Sequence, residues 1–207
     1  GIEFFIRFFY NHGLLDITNR PQWYVIPGGS REYIAPLTAQ FKDNIVLNAD
    51  IKTVQREQGK VQLVFADNSV QEFDGVVFAC HSDQALSLLA QPTEAEQQVL
   101  GAIPYTANSV VLHTDTALLP KRKAAWASWN YRLDNNTERA AVVTYQMNIL
   151  QGIESSEPLC VTLNCDEAIN DDKVLRRFTY HHPVFNSQSI AAQQQRQHDR
   201  HDPGHGV

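Results

Sequence analysis

Long apolar runs, paired cysteines and stretches of like charge are all scarce in this sequence of 207 residues. The most apolar window near the start, residues 4–10, is interrupted by Arg7 and is far shorter than the ~20 residues that a membrane-spanning helix needs. The three cysteines, Cys80, Cys160 and Cys165, are odd in number and match no zinc-module spacing. We therefore expect no membrane span, no disulfide framework, no structural zinc and a reducing, cytoplasmic location.

Basic residues are also few: 17 Lys and Arg stand against 23 Asp and Glu, which gives a formal net charge of -6. Their only cluster in the sequence is residues 121–123. That balance gives no long-range attraction for nucleic acid or an anionic membrane, and we interpret the triplet as a solvated loop. The hydrophobic content of 43% is ample for the packed core of one large or two small domains.

The densest pattern lies in residues 23–89, which open with a turn at Pro27-Gly28-Gly29. Paired glycines tolerate positive φ and let the backbone approach another segment or a ligand closely. Ser30 is placed to cap a helix that stops at residues 43–44. Its apolar side chains recur at helical spacing, at Tyr33, Ile34, Leu37 and Phe41.

Short apolar segments separated by turn residues follow this helix and predict a β-meander. They are residues 45–47, 51–55, 61–65 and 70–73. A continuous apolar run at 76–79 then predicts a buried strand, and His81-Ser82-Asp83 starts a helix that runs to Leu89.

The flanks of this stretch predict an α+β fold. Residues 2–10 are apolar on nearly all faces and predict a buried helix stopped by 11–13, and Thr93 with Glu96 forms a capping box that opens another helix. Alternating patterns then predict a mostly antiparallel sheet with one buried face, with a hairpin turn at 134–137. Its strands are residues 109–114, 125–132, 140–148, 158–164 and 174–181.

Residues 187–207 form a polar tail that we expect to be frayed or disordered. Its histidines, His198, His201 and His205, have a spacing that suits a metal on a helix. Pro203 and Gly204 forbid a continuous helix there, so we predict no metal site.

The order of these elements resembles the middle of the flavin-containing amine oxidase superfamily, which includes phytoene desaturases. More particular strings are similar to a bacterial subgroup described as predicted NAD/FAD-binding or amine-oxidase-like proteins. They are residues 11–15, 112–115, 126–131 and 182–185. The resemblance implies a partial FAD-binding domain at 1–104, a substrate domain at 105–186 and hydride removal from a C–N or C–C bond.

Two departures from that family matter. The family opens with a Gly-x-Gly-x-x-Gly turn that holds the FAD pyrophosphate, and no such string occurs here. The ending, residues 202–207, also differs from the family's Gly-rich closing segment. We therefore expect an internal fragment, consistent with its start at Gly1, that binds FAD weakly or not at all and is inactive by itself.

The resemblance places the cofactor next to a small set of residues. They are Gly28, Gly29 and Ser30 in the turn, Ile51 as a main-chain adenine contact, and Ala79, Cys80 and His81 in the loop after the buried strand. From the residues alone, the glycines suit an ordinary turn, and an inert buried cysteine and a structural histidine are equally consistent.

The resemblance also implies an aromatic substrate cavity for an apolar or amine substrate, lined by Trp129, Tyr131, Tyr145 and Asn148. Aromatic residues in a sheet are as consistent with core packing. No acid/base pair or nucleophile is recognisable, since Ser30 and Ser82 lie in no Gly-x-Ser-x-Gly elbow, and a flavin would carry the chemistry itself. The alternative function is a non-catalytic assembly module that buries its apolar surface against a partner.

Overall fold

The computed structural model of the chain describes residues 2–16, 18, 21–132 and 142–195, without the side chains of Glu3 and Phe4. Its α-helices are α1 Ile2–Asn11, α2 Ile34–Thr38, α3 Ser82–Leu88, α4 Glu94–Gly101, α5 Met147–Gln151 and α6 Ser187–Gln195. Its strands are β1 Ile51–Glu57, β2 Lys60–Phe65, β3 Val70–Phe73, β4 Tyr105–His113, β5 Trp129–Arg132, β6 Val142–Gln146, β7 Cys160–Leu163 and β8 Val174–Pro183. The predicted α+β class is confirmed.

Contacts divide the chain into two compact units. The first is built from Gly1–Pro21, Phe41–Thr106 and Pro183–Val207, and the second from Gln22–Gln40 and Ala107–His182. The predicted domain limits at 104 and 186 stay a prediction. None of the helices within the described residues combines the length and the apolar content that a bilayer crossing demands.

The first unit contains the predicted meander, as an antiparallel sheet in the order β1-β2-β3. Gln58 and Gly59, both at positive φ, make the two-residue turn between β1 and β2. That pair of left-handed residues matches the twist of the flanking strands. Residues 45–47, predicted as a further strand, lie outside the sheet and are exposed.

The predicted buried strand at 76–79 is wrong. The segment forms no strand, and Val77 is 91% exposed. A buried strand needs partners on its hydrogen-bonding edges, and no strand in the described part of the chain pairs with it.

The helices that follow this segment begin as predicted. His81 is the N-cap of α3, with Gln84 Oε1 accepting from the His81 backbone N–H at 3.2 Å. At α4 the Thr93 hydroxyl accepts from the Glu96 N–H at 3.2 Å, and Glu96 Oε2 accepts from the Thr93 N–H at 2.7 Å. The capping box is confirmed.

The two ends of the described chain differ from expectation in burial and order. Helix α1 forms and ends at Asn11, and a turn at Gly13 follows it, in which the Leu14 N–H donates to the Phe9 carbonyl at 2.9 Å. The helix is not buried, since Tyr10 is 73% exposed. Residues 187–195, expected to fray, form α6, and residues 196–207 lie outside the described residues. A reciprocal cap starts α6, because Asn186 and Ser189 each accept the other's backbone N–H.

The second unit is built on a five-stranded sheet in the order β5-β6-β7-β4-β8. The pairs β5–β6, β6–β7 and β4–β7 are antiparallel, as predicted. Two strands are shorter than predicted, because Lys123–Ala125 forms a 3-10 helix before β5 and Met147–Gln151 forms α5 after β6. The hairpin turn predicted at 134–137 lies outside the described residues.

One face of this sheet is the core, where Val111 and Val142 pack against Leu118, Cys165 and Ile169. The same face carries a polar row, and His113, Thr144 and Thr162 are at most 1% exposed. The row is hydrogen-bonded, with 2.8 Å from His113 Nε2 to Thr162 Oγ1 and 2.8 Å from Thr162 Oγ1 to Thr144 Oγ1. These bonds satisfy groups whose burial would otherwise be costly.

The glycine turn precedes a helix that differs from the prediction. Ser30–Tyr33 is a 3-10 helix, continued by α2, and it is Gly29 that stands at the N-cap position with no side-chain cap. Ser30 lies inside the 3-10 helix, so its predicted capping role is wrong. The helical chain also ends at Thr38 rather than at 43–44, where a separate 3-10 helix, Lys42–Asn44, follows.

Candidate functional site

The loop of Ala79, Cys80 and His81 enters α3 in the first unit. The His81 ring stacks on the Tyr105 ring with 4.3 Å between centroids, and the Tyr105 hydroxyl accepts from the Ser82 backbone N–H at 3.0 Å. Ala79 and Cys80 are exposed. The contacts of His81 thus hold the loop in place and leave the two residues before it open to a ligand.

Ile51 begins β1, the outer strand of the meander. The outward edge of β1 meets the end of α3 and the segment after it. The Val54 carbonyl accepts from the Ala90 N–H at 3.0 Å, and the Thr53 hydroxyl donates to the Leu88 carbonyl at 2.9 Å. No strand within the described residues pairs with this edge at Ile51. The start of β1 can therefore offer main-chain groups to a planar ring, as adenine recognition requires.

An apolar cleft of about 410 Å³ lies beside this strand and the segment that leads to the loop. It is lined by Val54, Val61, Gly75, Val76, Val77, Phe78 and Leu89, with Arg56 and Glu96 among them. The Arg56 guanidinium holds both Glu96 oxygens, at 2.9 and 2.8 Å. Burial raises the pKa of Glu96, but hydrogen bonds from Arg56 and Thr93 outweigh it and lower the pKa. The ion pair fixes β1 to α4 next to the cleft.

The glycine turn belongs to the second unit. Gly28 has φ +82° and Gly29 has φ +92°, and the Gly29 N–H donates to the Ile26 carbonyl at 2.9 Å. A Cβ on Gly28 would stand 2.9 Å from the Cγ of Glu32, whereas one on Gly29 would meet nothing within 4 Å. Both positions need glycine for backbone reasons, and Gly29 also leaves open space beside the chain.

Three of the predicted cavity residues share one face of the large sheet. Trp129 is paired with Tyr145 across β5 and β6, their rings meeting edge to face with 6.2 Å between centroids, and Tyr131 follows two residues along. Trp129 is 54% and Tyr131 61% exposed. The predicted grouping of these three aromatics forms on the side opposite the core.

Strand β8 adds residues that the sequence reading missed. Arg177 and Ser109 both bond to Asp166, which places Arg177 on the core side, so Arg176, Phe178 and Tyr180 take the other side. The Phe178 and Tyr180 rings stack at 5.6 Å, with the Arg176 guanidinium 5.0 Å from the Phe178 ring.

The side of the sheet opposite the core is called the aromatic face. It is formed by Trp129, Tyr131, Val143, Tyr145, Val161, Leu163, Val110, Leu112, Phe178 and Tyr180. In the sequence, the spacing of Phe178 and Tyr180 two residues apart could have shown that both lie on one face of a strand.

Asn148 does not join the aromatic face. It lies in α5, where its Oδ1 accepts from the Leu159 N–H at 2.7 Å and its Nδ2 donates to the Ile153 carbonyl at 3.1 Å. The Gln146 amide also donates to Asn148 Oδ1 at 3.0 Å. These bonds close the loop between β6 and β7.

Within the described residues, no three His, Cys, Asp or Glu side chains gather at a spacing that suits a metal. The histidines of the tail, from His198 onward, lie outside the described residues. The buried Cys160 is unsuited to thiolate chemistry, because burial and the negative charge of Asp115 raise the pKa of its thiol to about 11.

The three-stranded meander and the five-stranded sheet define the fold of the described chain. The chain belongs to the flavin containing amine oxidoreductase family, whose model matches residues 4–181. The resemblance inferred from the sequence is thereby confirmed.

A CLA-producing fatty acid isomerase from P. acnes is similar in structure, with a TM-score of 0.59 and 17% sequence identity. The superposition covers 86% of this chain and 45% of that protein, so the chain spans less than half of its length. At this identity the likeness establishes the fold alone. No curated protein matches the chain.

Proposed function

We propose that this chain supplies the adenine side of the FAD site and the substrate-facing sheet of a flavin-dependent oxidoreductase. The observation that carries the proposal is the aromatic face: family membership gives the flavin, and the sheet presents a broad half-exposed aromatic surface on the side opposite its core. The location we propose is the cytoplasm of a bacterium, which three free cysteines support.

The residues present fit one part of FAD. The unpaired edge of β1 at Ile51 suits main-chain contacts with adenine, and exposed Ala79 and Cys80 leave room beside the loop fixed by His81. Gly28, Gly29 and Ser30 are the turn proposed to approach the flavin side. The sequence contains no Gly-x-Gly-x-x-Gly string for the pyrophosphate. Bound FAD would supply the hydride acceptor for oxidation of a C–N or C–C single bond to a double bond, in which the substrate carbon gives up a hydride from its C–H bond and the neighbouring atom gives up a proton.

The protein's own contribution to that reaction is shape and polarity. Trp129, Tyr131 and Tyr145 exclude water and orient an apolar or amine substrate, and Asn148 shapes the adjoining loop. A substrate with a long apolar part suits a surface of this breadth, and the similar isomerase is named for a fatty acid.

Two measurements test the proposal. The complete gene product should purify with a flavin absorbance band or take up FAD, and the absence of both would refute it. In that protein Trp129→Ala and Tyr131→Ala should lower kcat/KM while the flavin content stays constant. Leu175→Ala, an exposed apolar change on the other side of β8, is the matched control and should leave kcat/KM unchanged.

The 207-residue chain by itself should bind FAD only weakly. Without the pyrophosphate turn, several charge-assisted hydrogen bonds of about 1.5 to 3 kcal/mol each are lost, about three or more decades of affinity. Isothermal titration measures this directly. A dissociation constant at or below about one micromolar would mean that the cofactor site is misplaced.

A second function, an assembly module without catalysis, is favoured by helix α1. Phe5, Ile6 and Tyr10 are each more than half exposed on it, a larger apolar surface than a solvated helix needs. Sedimentation of the chain separates the two functions. Self-association that Phe5→Ser with Ile6→Ser abolishes supports the module, and a monomer at all concentrations excludes self-assembly.

A further inference from the structure

The second unit has a groove along β5, the edge strand of its sheet, and the proposed function uses only Trp129 and Tyr131 of its lining residues. We call it the edge groove; it encloses about 550 Å³. It is lined by Ala117, Leu118, Leu119, Pro120, Lys121, Ala125, Ala127 and residues 129–132. Its volume lies in the range that single small ligands occupy.

The walls of the edge groove are fixed by hydrogen bonds. The Trp126 indole N–H donates to the Pro120 carbonyl at 2.9 Å, which joins the two segments on either side of residues 121–125. The Asn130 amide donates to the Ala127 carbonyl at 2.7 Å and accepts from the Ala127 N–H at 3.1 Å. A preformed groove of this kind loses little entropy when a ligand enters.

The lining has an apolar part and a cationic part. Leu118 and Leu119 are buried in its floor, and Lys121 and Arg132 are the charged residues of the lining within the described part of the chain. Among residues 2–16, 18, 21–132 and 142–195, no carboxylate pairs with Lys121, Arg122 or Arg132, whereas the cations at 56, 173 and 177 each have a carboxylate within 4.0 Å. Two cations that have no carboxylate partner among the described residues, beside an apolar floor, are complementary to a ligand that joins an apolar chain to an anionic group.

We propose that the edge groove binds a single-chain aliphatic carboxylate, with the chain on Leu118, Leu119 and Trp129 and the carboxylate between Lys121 and Arg132. Trp129 and Tyr131 belong both to this groove and to the aromatic face. The inference therefore gives the proposed oxidoreductase its substrate class and rests on that proposal for its catalytic meaning. Binding itself needs no flavin.

The test uses the 207-residue chain with Trp23→Phe, which leaves only Trp126 and Trp129 of the three tryptophans. Dodecanoate brominated at its methyl end should quench their fluorescence in a saturable way below its micelle concentration. The alcohol with the same brominated chain is the matched neutral probe and should bind at least about fivefold more weakly, as expected for a partly solvated charge pair. Equal binding of acid and alcohol, or quenching without saturation, overturns the proposal.

Charge-reversal variants locate the carboxylate. Lys121→Glu and Arg132→Glu should each weaken the acid about fivefold or more and leave the alcohol unchanged. Lys52→Glu, at an exposed position of β1 in the first unit, carries the same charge change and should have no effect. Circular dichroism first checks that each variant unfolds at the same temperature as the parent chain. If Lys121→Glu or Arg132→Glu unfolds at a lower temperature, the glutamine variant at that position replaces it. If Lys52→Glu weakened the acid as much as Lys121→Glu and Arg132→Glu do, the edge groove would not be the site. Displacement of the acid by hexaglutamate, which has carboxylates but no alkyl chain, would likewise overturn the proposal, because it would show that charge alone causes binding.

This experiment separates two failures. Absence of flavin from the complete gene product refutes the oxidoreductase and leaves the quenching result intact. Absence of saturable quenching in a flavin-containing protein refutes the carboxylate site alone.

Discussion

The buried row of His113, Thr162 and Thr144 predicts a large loss of stability from a change that alters almost no volume. Thr162→Val replaces a hydroxyl by a methyl group of similar shape, so it creates no cavity. The substitution removes the partner of His113 Nε2 and of Thr144 Oγ1, both at 2.8 Å. All three side chains are at most 1% exposed, so water cannot replace the lost bonds.

The magnitude follows from the groups left without partners. The Asp115 N–H donates to His113 Nδ1 at 3.1 Å, which makes Nδ1 the acceptor and puts the ring proton on Nε2. In the variant that N–H faces a methyl group, and the Thr144 hydroxyl loses its partner as well. Each of the two orphaned groups costs about 1 to 3 kcal/mol, so we expect a loss of about 2 to 6 kcal/mol.

The assay is urea unfolding of the 207-residue chain, followed by circular dichroism. Thr179→Val is the matched control, because Thr179 lies exposed on the edge strand β8, and it should change the free energy of unfolding by less than about 0.5 kcal/mol. If Thr162→Val changed stability no more than Thr179→Val, the row would not contribute as described.

The same row makes stability depend on pH. Burial lowers the pKa of His113 more than the Asp115 charge raises it, from an ordinary value of 6.5. Because the folded pKa lies below the unfolded one, the unfolded chain takes up the proton first. The stabilisation is complete above about pH 6.5 and is lost as the pH falls through the lower folded value. His113→Gln, which does not titrate, should flatten this loss; an unchanged slope between about pH 7 and pH 5 would refute the assignment.

Three further predictions concern single sites. Thiol labelling of the native chain near neutral pH should modify exposed Cys80 first and leave Cys160 unmodified until unfolding, because burial raises the Cys160 pKa to about 11. Rapid loss of all three thiols would contradict this prediction. Cys80→Ser is the control, because it removes the exposed thiol. Gly28→Ala should cost more in urea unfolding than Gly29→Ala, by about 1 kcal/mol, since both have positive φ but only Gly28 would clash with Glu32; equal costs would exclude the clash. Thr93→Ala should lower the free energy of unfolding by about 1 kcal/mol through loss of the α4 cap, and a change no larger than that of exposed Thr179→Ala would count against it.

Local signals predicted much of this fold. The meander, the Thr93 and Glu96 capping box and the α1 stop at Gly13 each depend on residues close together in sequence. The antiparallel pairing of the two strands that carry Trp129 and Tyr145 also followed from their alternating patterns. These features could be found because period and turn chemistry are written in short windows.

The wrong predictions depended on partners that a window does not contain. The apolar run at 76–79 has the composition of a buried strand, yet pairing requires a neighbouring strand. Ser30 has the right residue type for a cap, but Gly29 at φ +92° sets the backbone there. The polar row from His113 was missed because its members are 49 and 18 residues apart in sequence.

Neither compact unit is a continuous stretch of chain, and this affects synthesis. Helix α6 packs against α4 in the first unit, burying Ser189 and Ala192, but every strand of the large sheet lies between the two helices in sequence. A ribosome that adds about 5 to 20 residues per second delays α6 by on the order of ten seconds after α4 has emerged. During that interval the part of α4 that α6 contacts is not yet covered by α6, so it is a place where a chaperone that holds nascent chains could bind.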